Sequence, residues 1–442
     1  MGGYSYVNER IAIIGLGASG KSAVEALGND ADIRGFSTTP VEQSDFPVFY
    51  SPDPAMVAQE IIQWNPQYCV ISPGIPMTSA LAQELKRRRV PVISEVELAW
   101  RLQEKSKRAG RPWYCVTGTN GKTTTVGLLG AIFRAAGIRV SEVGNIGLPI
   151  SSQIAGDSEA FVVELSSFQL ETTYTMEPAA AICLNADADH LDWHGDVESY
   201  REAKARIYDR VRGKSFYFAS DPVVARMVQG RPRVVALTTD SNEWDWVPFY
   251  AERGHPSALL ADIVAAVAIA RDAGIDENAI SAGLSEYSPA THRQALVGQW
   301  GGVRYVDDSK ATNAHAAAAA LKALPPGTGV WIAGGDAKGQ DFGPLVHSVR
   351  SQLRAVVAIG LDPSPIRRAV EEFAPDTPIV EVVGNSDADL WMLQVVRAAA
   401  NFARPGDTVL LSPACASWDQ FSSYSQRGKV FEQAVRRFQE ES

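Results

Sequence analysis

Tyr114-Cys115-Val116-Thr117-Gly118-Thr119-Asn120-Gly121-Lys122-Thr123-Thr124-Thr125 is the stretch that decides how this 442-residue chain is read. An apolar, strand-like run ends at Thr117, two glycines three apart follow, and Lys-Thr-Thr opens a helical segment through Val126, Leu128 and Leu129. Strand, glycine turn and helix N-terminus in that order aim backbone N–H groups at an anion, which is how a P-loop holds nucleotide phosphates. Lys122 is placed to neutralise β/γ oxygens and the Thr123 hydroxyl to sit on Mg²⁺, with Gly118, Thr119, Asn120, Gly121 and Thr124 completing the expected ATP cradle. The spacing is a variant one, because the longer motif wants a glycine where Val116 stands. A plain Gly-Asn turn is the simpler alternative, and the Gly-Lys-Thr at the turn favours phosphate.

The whole-chain properties narrow the field. A length of 442 residues fits about three domains. The formal charge of -10 and the pI near 5.3 lack the basic footprint of a nucleic-acid binder, so an anionic substrate must be met by local cations or helix ends. Cys69, Cys115, Cys183 and Cys415 lie far apart with no pair at metal-ligand spacing, which fits buried, reduced thiols in a cytoplasmic protein. No basic segment followed by an apolar core precedes the first strand, and the most apolar window, Ala258 to Ala270, is short and carries Asp262. Neither a signal peptide nor membrane insertion is expected.

Moving outward towards the N-terminus, Arg10 to Ile14 reads as a buried strand followed by Gly15-Leu16-Gly17-Ala18-Ser19-Gly20, a GxGxxG turn with a helix behind it. A nucleotide diphosphate suits that helix end. A dinucleotide also needs an acid after the second strand, where Ser37-Thr38-Thr39 stands, so NAD is disfavoured. Further strands at Tyr68 to Ile71 and Val92-Ile93, alternating with helices, predict a small open parallel sheet, and Glu104 to Pro112 reads as a linker into the P-loop domain.

Beyond the P-loop helix, Phe161-Val162-Val163 delivers Glu164 at the end of an apolar strand, where a P-loop domain places a Mg²⁺ ligand. The strand Ala181 to Leu184 ends in Asn185-Ala186-Asp187-Ala188-Asp189-His190-Leu191-Asp192-Trp193-His194, which serves either as turn and capping residues or as a second cation site with His190 the better ligand. In the helix from about Val197 to Val211, Lys204 interrupts an apolar stripe of Tyr200, Ile207, Tyr208 and Val211. Desolvation would lower its pKa and let the neutral amine form a metal-binding carbamate; on periodicity alone a snorkelling lysine is the better account. Phe216 to Tyr250 reads as short strands in no evident order. The last third alternates again, with Asp307-Asp308-Ser309-Lys310-Ala311-Thr312-Asn313, Gly334 to Gly339 and Ser412 to Asp419 at strand ends.

Together, Gly118 to Thr123, Glu164-Leu165-Ser166-Ser167-Phe168-Gln169-Leu170-Glu171, Asp308 to Asn313 and Ser412-Pro413-Ala414-Cys415-Ala416-Ser417 resemble the Mur ligases of bacterial peptidoglycan synthesis. The second and fourth motifs look like the branch that adds D-glutamate to UDP-N-acetylmuramoyl-L-alanine. The resemblance implies an α/β protein of three domains: a Rossmann-like open sheet for the uridine diphosphate end (residues 1–100), a central P-loop ATPase-like domain (101–289) and a Rossmann-like amino-acid domain (290–442).

By the same resemblance, Thr123, Glu164, His190 and a carbamylated Lys204 bind two Mg²⁺, with Mn²⁺ as a substitute, and Lys122, Glu164, His190 and Lys204 carry catalysis. His292, Arg293, Asp308, Lys310 and Thr312 join the ATP contacts. Ala18, Ser19, Ser72, Gly74, Asn145 and Ser166 serve the UDP-muramoyl substrate; Lys338, Ser417 and Tyr424 serve D-glutamate. A monomer is expected. Three positions depart from the family pattern: Ala258-Leu259-Leu260-Ala261-Asp262 in place of His-Asn-x-x-Asn, Tyr424 in place of phenylalanine, and Ser37-Thr38 in place of an acid-containing pair. The alternatives are a sister ligase for another amino acid, a folylpolyglutamate-type synthetase, or a nicotinamide dehydrogenase built on Gly15 to Gly20.

Overall fold

A computed structural model describes residues 9–28, 31–41, 44–240, 257–287, 292–337, 339–384 and 387–441. Three sheets follow one another along the chain. The first is all parallel, in the order β3-β2-β1-β4-β5, from β1 (Arg10–Ile14), β2 (Asp32–Ser37), β3 (Val48–Tyr50), β4 (Tyr68–Ile71) and β5 (Val92–Ile93). The second, also parallel, runs β11-β10-β9-β6-β8-β7, from β6 (Trp113–Thr117), β7 (Val140–Gly144), β8 (Ala160–Glu164), β9 (Ala180–Cys183), β10 (Ser215–Phe218) and β11 (Val234–Leu237). The last two are the strands left unordered between Phe216 and Tyr250; residues 241–256 lie outside the description.

The third sheet is mixed, in the order β12-β13-β17-β14-β15-β16, from β12 (Ala295–Trp300), β13 (Val303–Asp307), β14 (Gly329–Gly334), β15 (Leu353–Gly360), β16 (Ile379–Val383) and β17 (Thr408–Leu411). Only β12 is antiparallel, joined to β13 by Gly301-Gly302. Two compact units result: Met1–His255 with Leu259–Tyr287, which holds the first two sheets, and Pro256–Ala258 with Ser288–Ser442, which holds the third.

Strand period explains the packing of the second sheet. All five residues of β6 are buried, as a central parallel strand requires. Tyr114 and Val116 face a core built with the helices Lys122–Ala135, Ser257–Asp272 and Glu277–Glu286, through Val126, Leu129, Ile132, Val264 and Ile280. Trp113 and Cys115 face the other way, into a core that also contains Ile11, Ile13 and Val70 of the first sheet. The helix Glu95–Glu104 closes the gap, with Trp100 edge-on to Trp113 at 5.1 Å between ring centroids. The first sheet's opposite face packs separately, Ile14, Phe36 and Ile71 lying under the helices Pro54–Trp64 and Ala80–Arg87.

Polar groups staple the same junction. The Glu97 carboxylate accepts from the backbone N–H of Tyr174 and Thr175, each at 2.8 Å, and from the Thr175 hydroxyl at 2.7 Å. Arg111 donates to the carbonyls of Ile154, Gly156 and Ser158. The expected linker is therefore fastened rather than slack. All four cysteines are free and buried, and burial pushes the Cys69, Cys183 and Cys415 thiols up to about 12.

Glu95, at the start of the junction helix, is wholly enclosed. Its Oε1 accepts from Ser151 N–H at 2.6 Å, its Oε2 has no partner among the described residues, and desolvation raises its pKa. A carboxyl whose folded pKa exceeds its unfolded one lends stability that is complete below the unfolded value and lost as pH rises through the folded value. Glu95→Gln stays neutral at every pH. Urea unfolding of the parent should therefore lose ground to Glu95→Gln as pH climbs from the ordinary carboxyl value of 4.5 towards neutrality; parallel pH curves would refute a buried neutral acid.

Candidate active site

The second sheet gathers its chemistry around β6. The exit of β6 leads to the helix Lys122–Ala135 on one face, whereas β8 and β9, hydrogen-bonded on either side, lead to segments whose Leu170, Ile207 and Tyr208 pack on the other. Such reversals open a crevice at the strand C-termini, and the P-loop sits between two of them. Register sets the neighbours, since Val116 pairs with Glu164 and Thr117 with Cys183.

Thr123 Oγ1 donates to Glu164 Oε2 at 2.8 Å, and Asn145 Nδ2, from the end of β7, donates to Glu164 Oε1 at 2.9 Å. A hydroxyl and a carboxylate held together beside a helix N-terminus form the hard oxygen set that suits Mg²⁺. Gly121, with φ of +85°, lets the loop turn into the helix; a Cβ there would stand 2.2 Å from Asp262 Oδ1. Asp262 itself accepts from Thr125 Oγ1 at 3.2 Å, so this departure from the family pattern props the P-loop.

The two lysines meet at one atom. Lys122 Nζ donates to the carbonyls of Gly118 at 2.7 Å and Thr119 at 2.9 Å, and Lys204 Nζ donates to the same Gly118 oxygen at 2.8 Å. Lys204 is 2% exposed and lies 4.8 Å from the Tyr200 ring centroid, so its head does not snorkel. Desolvation first, and then the Lys122 charge, hold its pKa down to about 7.

Asn185, at the exit of β9, accepts at Oδ1 from Thr119 and Asn120 N–H, both at 2.9 Å. Two of the amides expected to face phosphate are thus already engaged. The Asn120 side-chain amide is the opposite case: its Nδ2 is buried with no acceptor among the described residues, which fits a site that receives oxygens from a ligand.

His190 takes a left-handed backbone (φ 53°), and its half-exposed ring lies edge-on to Phe168 at 4.8 Å. His194, the alternative ligand, is buried against Ser167 Oγ at 2.9 Å. Ser166 caps the short helix Ser167–Glu171, its hydroxyl exchanging hydrogen bonds with Gln169.

In the first sheet the reversal falls between β1 and β4. Ala18 and Ser19 open the helix Ala18–Leu27, whose first turn has no side-chain cap, and Ser72 N–H donates to Ile14 O at 2.8 Å, bringing the Ser72 to Gly74 turn alongside. Trp193 Nε1 donates to Pro73 O and Thr78 Oγ1 to Trp193 O, both at 3.2 Å, so this turn abuts the loop that carries His190.

The second unit repeats the pattern around β17. Its exit leads to the helix Tyr424–Glu441, while β13 and β14 on either side lead to the helices Ala314–Lys322 and Gly343–Val349 on the opposite face. Lys310 Nζ sits 4.0 Å from the Tyr424 ring centroid, and Ser417 is buried. Asp308 accepts from Ser412 Oγ at 2.8 Å, and burial pushes its pKa up to about 7. Thr312 N–H donates to Lys310 O at 2.8 Å, and Arg293 is near enough to Asp308 to favour its charge. His292 is 2% exposed with Nδ1 2.5 Å from Asp307 Oδ2, so its side chain is directed inward rather than to a nucleotide. Lys338 lies outside the described residues.

Among the described residues one group of three acid and histidine ligand atoms lies within 4.8 Å, His292, Asp307 and Glu432. The His292 Nδ1–Asp307 Oδ2 spacing is that of a short hydrogen bond. Asn185, Asp307 and Asp262 are the residues that sequence reasoning did not assign to these clusters. Asn185 carried a local signal, since it ends an apolar strand as Glu164 does.

Two family models match this chain, the Mur ligase middle domain over residues 116–257 and the Mur ligase glutamate ligase domain over residues 292–415. The chain is similar to a UDP-N-acetylmuramoylalanine--D-glutamate ligase of Streptomyces coelicolor, 37% identical with 98% of each chain covered. A protein of the same name from Frankia casuarinae is 39% identical, over 98% of this chain and 95% of the relative. The fold is similar to that of MurF ligase from Thermotoga maritima, solved in complex with ADP (TM-score 0.58, 15% identity, 99% and 97% covered). It is also similar to that of MurC from the same organism (TM-score 0.54, 16% identity, 98% and 100% covered).

The Asn185 contacts yield a split. Asn185→Ala orphans the Asn120 amide at about 1–3 kcal/mol, leaves Thr119 N–H only the Asn185 carbonyl at 3.1 Å, and should lower both the melting temperature and ATP affinity. Asn185→Asp keeps the acceptor but sets a negative charge beside the phosphates, so it should spare the melting temperature and weaken ATP. Thermal melts with and without ATP distinguish the two, and an Asn185→Ala variant with parental ATP affinity would remove the residue from the site.

Proposed function

The chain belongs to the Mur ligase family, and on that premise we propose how its residues divide the work of an ATP-dependent ligase that joins D-glutamate to UDP-N-acetylmuramoyl-L-alanine in peptidoglycan precursor synthesis. A carboxylate repels nucleophiles and its oxygen leaves poorly. Transfer of the ATP γ-phosphoryl group to the L-alanyl carboxylate makes an acyl phosphate and ADP; the D-glutamate amine then attacks the carbonyl carbon, and phosphate departs with the C–O bond while the amine loses a proton.

The observation that carries the division is the contact of Thr123 with Glu164 beside Lys122, at the exits of paired parallel strands. We assign Lys122 to the β/γ-phosphoryl oxygens, where its charge is needed as negative charge collects, with Gly118 to Thr124 around them. Thr123, Glu164, His190 and a carbamylated Lys204 would hold two Mg²⁺, with Mn²⁺ an acceptable substitute because both prefer oxygen donors. When bound, such cations offset the charge on the reacting phosphoryl and carboxylate oxygens. Lys204 suits carbamylation because burial keeps a large share of its amine neutral near pH 7.

Ala18, Ser19, Ser72 and Gly74 take the uridine diphosphate end and Asn145 and Ser166 the muramoyl end. The contact of the Pro73 turn with the Trp193 loop supports one continuous track for that substrate. Lys338, Ser417 and Tyr424 are assigned to D-glutamate, at the strand reversal around β17, and His292, Arg293, Asp308, Lys310 and Thr312 to the nucleotide. The buried imidazole of His292 gives that residue an indirect share, through its neighbour Arg293. Residues 1–100, 101–289 and 290–442 then form domains for the muramoyl nucleotide, ATP and the amino acid. No described helix is long and apolar enough to cross a membrane. We place the enzyme in the cytoplasm as a monomer, where ATP is available.

Phosphate release with Mg²⁺, ATP and UDP-N-acetylmuramoyl-L-alanine should depend on D-glutamate; stimulation by L-alanine, L-lysine or a diamino acid instead would move the chain to another branch. Lys204→Ala should lower turnover by on the order of 10–100-fold or more, with partial recovery in short carboxylic acids that replace the carbamate. Because the Lys204 pKa is lowered to about 7, the parent should lose activity as pH falls below that value, where the amine becomes ammonium and cannot take up CO₂. Full activity of Lys204→Ala without rescue would return Lys204 to a packing role.

A further inference from the structure

Arg427 lies in the first turn of the helix Tyr424–Glu441 and is 1% exposed. Its Nε donates to Ser309 Oγ at 3.0 Å, Nη2 to Ser309 O at 2.9 Å and Cys415 O at 3.2 Å, and Nη1 to Ala416 O at 3.3 Å. Ser309 stands between Asp308 and Lys310 in the exit of β13, and Cys415-Ala416 precede Ser417 in the exit of β17. One guanidinium thus binds the two loops that carry Lys310 and Ser417. The exit of β14 joins them through the backbone, because Asp336 and Ala416 exchange N–H···O bonds at 3.0 Å in each direction.

A buried cation is costly, and each acceptor that Arg427 reaches is an uncharged oxygen. Burial accordingly lowers its pKa, to about 10, and leaves it charged at neutral pH. The next residue, Gly428, serves the same region: a Cβ there would stand 2.1 Å from His292 Nδ1 and 2.8 Å from Asp307 Oδ2, so only glycine lets the helix pass this pair. Asp307 in turn accepts from Ser309 N–H at 2.9 Å, which fixes the far side of the serine that Arg427 holds.

We propose that Arg427 is a positioning residue for D-glutamate, fixing the loop that carries Ser417 against the exit of β13 and keeping a positive charge beneath a site for two carboxylates. This rests on the assignment of Ser417 and Tyr424 to the amino acid. Lysine at this position keeps the charge but has no planar fork to reach four acceptors on two loops, so Arg427→Lys is not conservative.

Steady-state phosphate release tests it. Arg427→Lys should raise the KM for D-glutamate by about tenfold or more and the KM for ATP by a smaller factor, since Asp308 and Lys310 flank the serine that Arg427 holds, while the KM for UDP-N-acetylmuramoyl-L-alanine stays within about twofold. Arg427→Ala should regain D-glutamate affinity on addition of methylguanidine, which refills the guanidinium cradle. Ser309→Ala removes one acceptor and should raise the D-glutamate KM by a smaller factor, a readout available even where Arg427 variants fold poorly. A purely structural role would lower the active fraction, and so kcat, with all three KM values unchanged. That result, or an equal rise in all three, overturns the proposal. D-glutamate-independent phosphate release by the parent enzyme overturns the functional assignment and the inference together; an active parent beside variants of unaltered D-glutamate KM overturns the inference alone.

Discussion

Two ammonium groups share one carbonyl oxygen. Lys122 and Lys204 both donate to Gly118 O, at 2.7 and 2.8 Å, in a place where water is largely excluded and like charges repel with little screening. The strain is relieved in either of two ways: a polyanion draws one charge forward, or the deeper lysine gives up its proton. The more enclosed Lys204 is the one whose proton is loosened.

The same sheet logic serves three tasks. In each sheet the candidate groups lie where neighbouring parallel strands send their exits to opposite faces: β1 beside β4, β6 between β8 and β9, and β17 between β13 and β14. A turn at such a place is free of the helices that cover the rest of the sheet. The P-loop, the Ser72 to Gly74 turn and the Pro413 to Ser417 turn are thus equivalent positions in three successive sheets, each supplied with different side chains.

What was legible in the sequence was local. The P-loop, the GxGxxG turn and Glu164 announce themselves through a strand followed at once by polar or glycine residues, and the paired strands place them as that pattern implies. Lys204 was only half legible, because periodicity puts it on the apolar face without telling whether its head escapes. Asn185 carried the same strand-end signal as Glu164, whereas Arg427 was hidden for another reason: its partner Ser309 lies 118 residues away, and no spacing rule spans such a distance. The hairpin of β12 and β13 did carry a signal, Gly301-Gly302 between two apolar runs, but Gly298 and a bulge blur the alternation. Glu104 to Pro112 has the composition of a linker, and the Arg111 hydrogen bonds together with the packing of Trp100 on Trp113 show that it is held fast.

That tryptophan pair bears on how separable the parts are. Because one interior spans the first two sheets, a cut near residue 100 would expose apolar residues on both sides, Ile11, Ile13 and Val70 on one and Trp113, Cys115 and Phe161 on the other. The third sheet has its own two interiors, drawn from residues from Val297 onward. The interiors of the first two sheets draw on no described residue past Tyr287 and those of the third on none before Val297, so a break in the chain near residue 290 leaves every one of them whole and a break near residue 100 does not.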